Sequence, residues 1–248
     1  ANPAMNITAY REYGGVHGSD GDITLKVIMG DLQGGIVCDI GVSGVIPTVG
    51  FVNLPGLFSS YDDVDSLYLN GWMGEEISRM CEEKGLLILG FGENDFRAIT
   101  NSKRPITSAA DLKGIKLRVP PTAMYQSFYQ ELGCLPANIS INELAMALQQ
   151  KVVDGQDNGV IVTDSFGFSE FQTYMTDAKH MYSGAMFIVN KKLFESMSLE
   201  QQKFVREAAK LTMDKQVQVN RSDVKVYLEK MRAKGMEIIE ASDQLKSD

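Results

Sequence analysis

The chain has 248 residues, 44% of them hydrophobic and 23% charged, with a formal net charge of −8. That is the composition of an ordinary globular protein, long enough for one large domain or two smaller ones. The negative charge excludes a nucleic-acid partner, which needs a cationic face to displace counterions, but it does not exclude a small anion gripped by one or two buried arginines.

The longest apolar region, Gly34 to Phe58, is interrupted by Asp39, Pro47 and Asn53. It therefore falls short of the roughly 18 continuous apolar residues that a membrane span requires. No basic and apolar leader opens the chain, so any secretory signal has been removed or was never present. Cys38, Cys81 and Cys134 stand apart with no CxxC, and His17 and His180 are the only histidines. Neither a metal site nor a disulfide framework is expected, no cofactor motif occurs, and the apolar neighbours of the cysteines fit buried thiols.

Apolar runs alternate with helical patterns, which predicts an α/β fold with largely parallel strands. Strands are expected at Met5–Tyr10, Gly35–Ile40, Leu86–Phe91, Ile115–Val119, Met181–Val189 and Met236–Glu240. Gly15 to Gly21 holds Ser, His and Asp side by side, but neighbours in a loop make no preorganised triad. Helix starts are marked by Ser60 with Asp63, Ser140 with Glu143, and Ser198 with Gln201. The first runs through Val64, Tyr68, Ile77 and Met80 to Gly85, with a possible break near Gly71. The last predicts one long helix, or two in line, ending at Gly235.

Between these, Gly114–Pro121 puts Lys116 and Arg118 on one strand face, and the prolines then stop the strand before a helix that starts near Thr122. Arg118 is thereby placed at the carboxyl end of a strand, where open α/β sheets bind ligands. Its planar guanidinium can grip both oxygens of a carboxylate, which a lysine cannot do. Asp154–Gly159 has the look of a calcium loop, but Ser165 stands where a bidentate glutamate is needed, so the run reads as a polar turn. Within it, the Asn158 amide is a candidate donor.

From about Pro55 to Gly235 the chain resembles the solute-binding proteins of tripartite ATP-independent periplasmic (TRAP) transporters, of dicarboxylate-binding type. The markers run in order: Leu54-Pro55-Gly56-Leu57-Phe58, Phe96-Arg97, Arg104-Pro105-Ile106, Asp111 through Pro120, Leu132 through Pro136, Glu143-Leu144 with Ala147-Leu148-Gln149, and Val153 through Asn158. The resemblance implies a two-lobe α/β fold of the periplasmic binding protein type II-like kind, with a ligand cleft between lobes and a long bracing helix. Residues 1–93 begin lobe I and 94–182 form lobe II. Residues 183–222 return to lobe I with the long helix, and 223–248 return to lobe II. It implies a periplasmic protein, expected to be a monomer, that delivers a small organic acid to membrane-embedded transporter subunits. Arg118 resembles the main carboxylate clamp, Arg97 a second cationic contact and Asn158 an amide partner. Members of the family begin with a strand–helix unit that is missing here, which leaves the amino-terminal region the weakest part of the match. The alternatives are a periplasmic ligand-sensing domain, or an α/β enzyme that uses Asp154, Asp157 and Glu143 on a carboxylate.

Overall fold

The computed structural model describes residues 6–10, 16–242 and 244–245. In chain order the elements are α1 (Asp20–Met29), β1 (Gly34–Cys38), α2 (Asp39–Val45), α3 (Tyr61–Asp63) running into a π turn (Val64–Leu69), α4 (Trp72–Glu82) and β2 (Leu86–Asn101). They continue with β3 (Lys116–Val119), α5 (Ala123–Glu131), β4 (Leu135–Asn138), α6 (Ile141–Gln149), β5 (Gly155–Gly159), α7 (Val160–Ser165) and β6 (Tyr174–Asp177). The chain closes with β7 (Tyr182–Asn190), α8 (Lys191–Ser196), α9 (Leu199–Ala233) and β8 (Glu237–Glu240). None of the helices among the described residues is long and apolar enough to cross a membrane.

The chain divides into two compact units. Unit 1 comprises Ala1–Phe51, Ser60–Glu93 and Gly184–Gln218, and unit 2 comprises Val52–Ser59, Asn94–Ser183 and Val219–Asp248. Strands β2 and β7 and helix α9 each contribute residues to both.

In unit 1, β1 pairs with β7 in antiparallel register from Gly34↔Val189 to Cys38↔Ala185. The first half of α9 lies over Leu89 of β2, where Ala209 joins Val189 and Phe194 in a buried cluster. Glycine matters at this contact: a Cβ on Gly92 would come within 2.5 Å of Met213 Cε. Gln216 then spans the same strand, accepting from the Glu93 N–H at 2.8 Å and donating to the Glu93 carbonyl at 2.7 Å.

In unit 2, β2 pairs antiparallel with β5 and with β6, whereas β3 runs parallel to both β4 and β5 and β6 parallel to β8. The sheets are therefore mixed rather than largely parallel. The difference comes from β2, a 16-residue strand that takes antiparallel partners. The second half of α9 packs Met231 against Ala98, Val160, Met175 and Met236. Its last turns are held by Asp164, a carboxylate with no exposed side-chain surface, which receives Lys230 and Lys234.

Several expectations change. Residues 6–10 form no regular structure, and Met5 lies outside the described residues. Three strands, β4, β5 and β6, arise where none was expected. The polar turn at Asp154–Gly159 is in fact β5, all five of whose residues are buried. The glycine-rich segment around Ser19 leads directly into α1, with Ser19 and Asp22 forming a reciprocal capping box. At Ser140 the side chain accepts from Asn142 N–H rather than from Glu143. The break allowed near Gly71 is present, at Asn70–Gly71, and the last helix is the one long helix of the two options.

Candidate functional site

The three parallel strands of unit 2 place their carboxyl ends together. Val119 of β3 is level with Asn138 of β4, and Arg118 is level with Gln156 of β5. Helices α5, α6 and α7 start from this edge, so their first N–H groups add positive potential to it. Thr122, the N-cap of α5, makes no side-chain capping bond, and its hydroxyl oxygen is buried without a hydrogen-bond partner.

Arg118 stands on this edge with 3% of its surface exposed. Its Nε donates to the carbonyl of Ile139, just past β4, at 2.8 Å. That bond fixes the guanidinium plane and leaves both terminal amino groups to act together, the geometry that suits a carboxylate. Among the described residues no carboxylate is paired with it. Burial, and then repulsion from Arg97, lower its pKa to about 9, partly offset by Asp157 and Tyr125. A guanidinium so perturbed gains more than an exposed one from a bound anion.

Arg97 is wholly buried and arranged differently. Its Nε donates to Asp157 Oδ1 at 2.5 Å, one terminal nitrogen donates to the Asp157 carbonyl, and that nitrogen also reaches Asn158 Oδ1 at 3.4 Å. The other terminal nitrogen reaches Ser183 Oγ at 3.4 Å, and the guanidinium lies over the Tyr125 ring, 5.1 Å from its centroid. The other carboxylate oxygen of Asp157 accepts from the Tyr129 hydroxyl at 2.8 Å, and that hydroxyl is 2.7 Å from His180 Nε2. Burial alone would raise the Asp157 pKa. Arg97 foremost, then His180 and Tyr129, hold it well below the usual carboxylate range instead.

Asn158 belongs to a chain of buried hydrogen bonds that also orients its amide. Its Nδ2 donates to Gln156 Oε1 at 2.5 Å, Gln156 Nε2 donates to Thr100 Oγ1 at 2.9 Å, and Thr100 donates to Gln172 Oε1 at 2.9 Å. With Asn158 Oδ1 turned to Arg97, the second Nδ2 hydrogen is left to donate at the strand edge.

The structure thus brings Arg97, Arg118 and Asn158 into one unit, on neighbouring strands. It does not bring Asp154, Asp157 and Glu143 together. Asp154 accepts from Lys116 N–H at the opposite end of β3, Glu143 is exposed, and Asp157 is sealed. Phe168 and Phe187 pack into buried clusters. Tyr125, Tyr129, His180 and Gln156 emerge only from the structure. Their sequence signal is weak, since aromatic residues at helical spacing read as core. No group of three or more His, Cys, Asp and Glu suited to a metal occurs among the described residues.

Comparison with known proteins shows what the chain is similar to. A solute-binding protein of Verminephrobacter eiseniae is 33% identical over 207 residues, covering 82% of this chain and 60% of the relative. The 2,3-diketo-L-gulonate-binding periplasmic protein of Escherichia coli is 28% identical over 202 residues, covering 82% and 61%. The chain therefore spans about 60% of the length of the curated relatives it matches. The solved structure of a sugar-acid-binding protein from Advenella mimigardefordensis, in complex with galactonate, superimposes with a TM-score of 0.89 at 30% identity, covering 94% of this chain and 75% of that one. The model of the bacterial extracellular solute-binding proteins, family 7 (DctP), matches residues 4–248, and the chain belongs to this family.

Proposed function

We propose that this chain is the binding component of a TRAP-type transporter in the periplasm. It captures a small organic acid at the carboxyl edge of β3–β5 and hands it to the membrane subunits. The observation that carries the reading is Arg118, buried to 3% exposure, anchored through Nε, and with no carboxylate among the described residues in ion-pair contact with it. Arg118 grips the acid's carboxylate, and the Asn158 amide donates to the same group. Arg97 acts from behind, keeping the carbonyl side of Asn158 turned away.

No catalysis is part of this function. Acid–base chemistry needs titratable groups that converge on a substrate, and Asp154, Asp157 and Glu143 are dispersed. The relatives whose names state a role are solute-binding proteins.

A thermal-shift screen of hydroxy, keto, sugar and dicarboxylic acids on the wild type and Arg118→Ala tests the proposal. One acid class should raise the melting temperature of the wild type and leave the variant unmoved. An equal shift in both proteins would remove Arg118 from the site.

A further inference from the structure

We propose that Asn70 is a modification site at which the chain converts its own side-chain amide to an acid, through attack by the backbone nitrogen of Gly71. The sequence contains two Asn-Gly pairs, Asn70-Gly71 and Asn158-Gly159, and the fold treats them in opposite ways.

In this reaction a bond forms between the Gly71 nitrogen and Asn70 Cγ while the Cγ–Nδ2 bond breaks. The proton of the attacking nitrogen leaves with the amide as ammonia. Water then opens the cyclic imide at either carbonyl. One opening gives aspartate, and the other gives isoaspartate, which carries an additional methylene in the backbone. Glycine favours the attack because no Cβ shields its nitrogen.

Asn70 and Gly71 lie between the π turn and α4 and belong to neither. Asn70 is exposed, and its Nδ2 donates to the Asp65 carbonyl at 3.1 Å, a surface bond that water can replace. The acid formed there precedes the N-cap of α4, where glycine supplies no capping side chain and the helix dipole favours negative charge. Asn158 is held in every respect that Asn70 is not. It is 3% exposed, its amide is engaged by both Gln156 and Arg97, and Asn158 and Gly159 are in register with Ala98 and Arg97 of β2. The same attack at Asn158 requires β5 to open first.

The product has a reporter beside it. Trp72, the only tryptophan, follows Gly71 and stacks on Phe51, with ring centroids 6.3 Å apart and planes 15° apart. Gly71 has little room to shift, since a Cβ on it would run into the Ser66 carbonyl oxygen. The additional methylene of isoaspartate therefore displaces the start of α4 and takes Trp72 off Phe51.

Peptide mapping by mass spectrometry of the wild type aged in mildly alkaline buffer tests the proposal. In the folded protein Asn70 should convert at least about 100-fold faster than Asn158, which waits on strand opening. In urea the two should react within about threefold of each other, because both are then open chain. Equal rates in the folded protein would overturn the proposal. So would a ratio that persists in urea, which would assign the difference to neighbouring sequence and not to the fold. The isoaspartate form, separated by ion exchange, should lose the near-ultraviolet circular dichroism band of Trp72, whereas Asn70→Asp, with no additional methylene, should keep it. An unchanged band in the isoaspartate form would overturn the displacement of α4.

Discussion

The Nε of Arg97 donates to Oδ1 of Asp157 at 2.5 Å, with no more than 1% of either side chain exposed. This pair sits beside a second buried arginine that has no such partner, and that contrast organises the site. One guanidinium is a structural ion, the other the binding group of the proposed function.

Removing either member of a buried pair leaves an uncompensated charge, which costs about 3–5 kcal/mol. Asp157→Ala should therefore lower the unfolding free energy by that order in urea titrations. The pH dependence follows from the depressed pKa of Asp157. A group held below its unfolded value contributes stability above the ordinary carboxylate pKa, about 4, and loses it as pH falls further. The melting temperature should drop steeply below about pH 4, and Asp157→Asn should flatten that slope.

Asp20 in unit 1 has the opposite sign. Burial raises its pKa from 3.8 to about 6, only partly offset by the Cys38 N–H that it accepts at 3.2 Å. Folding then penalises the ionised form, a cost that grows between about pH 4 and 6 and persists above. Asp20→Asn keeps an oxygen for Cys38 and should stabilise the protein by up to about 3 kcal/mol at pH 8. Calorimetric melting should show the gain vanishing near pH 4.

In the proposed site Gln156 acts on the ligand through Asn158, whose amide it holds. Gln156→Leu removes the acceptor that orients the Asn158 amide and should weaken acid binding about tenfold, the worth of one well-placed hydrogen bond. Thr100→Val, one bond further away, should cost stability yet leave affinity within about threefold. Titration of both variants with one acid distinguishes positioning from general destabilisation.

Asp164 ties down the end of α9. Asp164→Ala removes the carboxylate shared by Lys230 and Lys234. With both lysines about half exposed, the expected loss is only about 1–2 kcal/mol. Amide exchange should quicken over residues 224–233 and stay unchanged in the first half of the helix.

What the sequence made legible follows from periodicity and punctuation. Helix α9 is marked at its start by Ser198 with Gln201 and stops where Gly235 takes φ 96°. Arg118 was readable because prolines end its strand just before a helix. β5 was not readable: Gly155-Gln156-Asp157-Asn158-Gly159 has the composition of a turn, and its burial is tolerated only because partners on β2 and α5 satisfy its polar groups. The role of Arg97 was hidden for the same reason. Its counter-charge lies 60 residues away, and no local pattern encodes such a contact. β4 was masked by its brevity and by Pro136.

The most direct test of the account is the affinity of the best-binding acid for the wild type and for Arg118→Lys, by isothermal titration at neutral pH. Lysine keeps the charge but loses the planar fork and the Nε anchor to Ile139. A loss of about 100-fold or more is expected if the guanidinium grips the carboxylate through both amino groups. An affinity within about threefold of the wild type would contradict the clamp, since charge alone would then suffice.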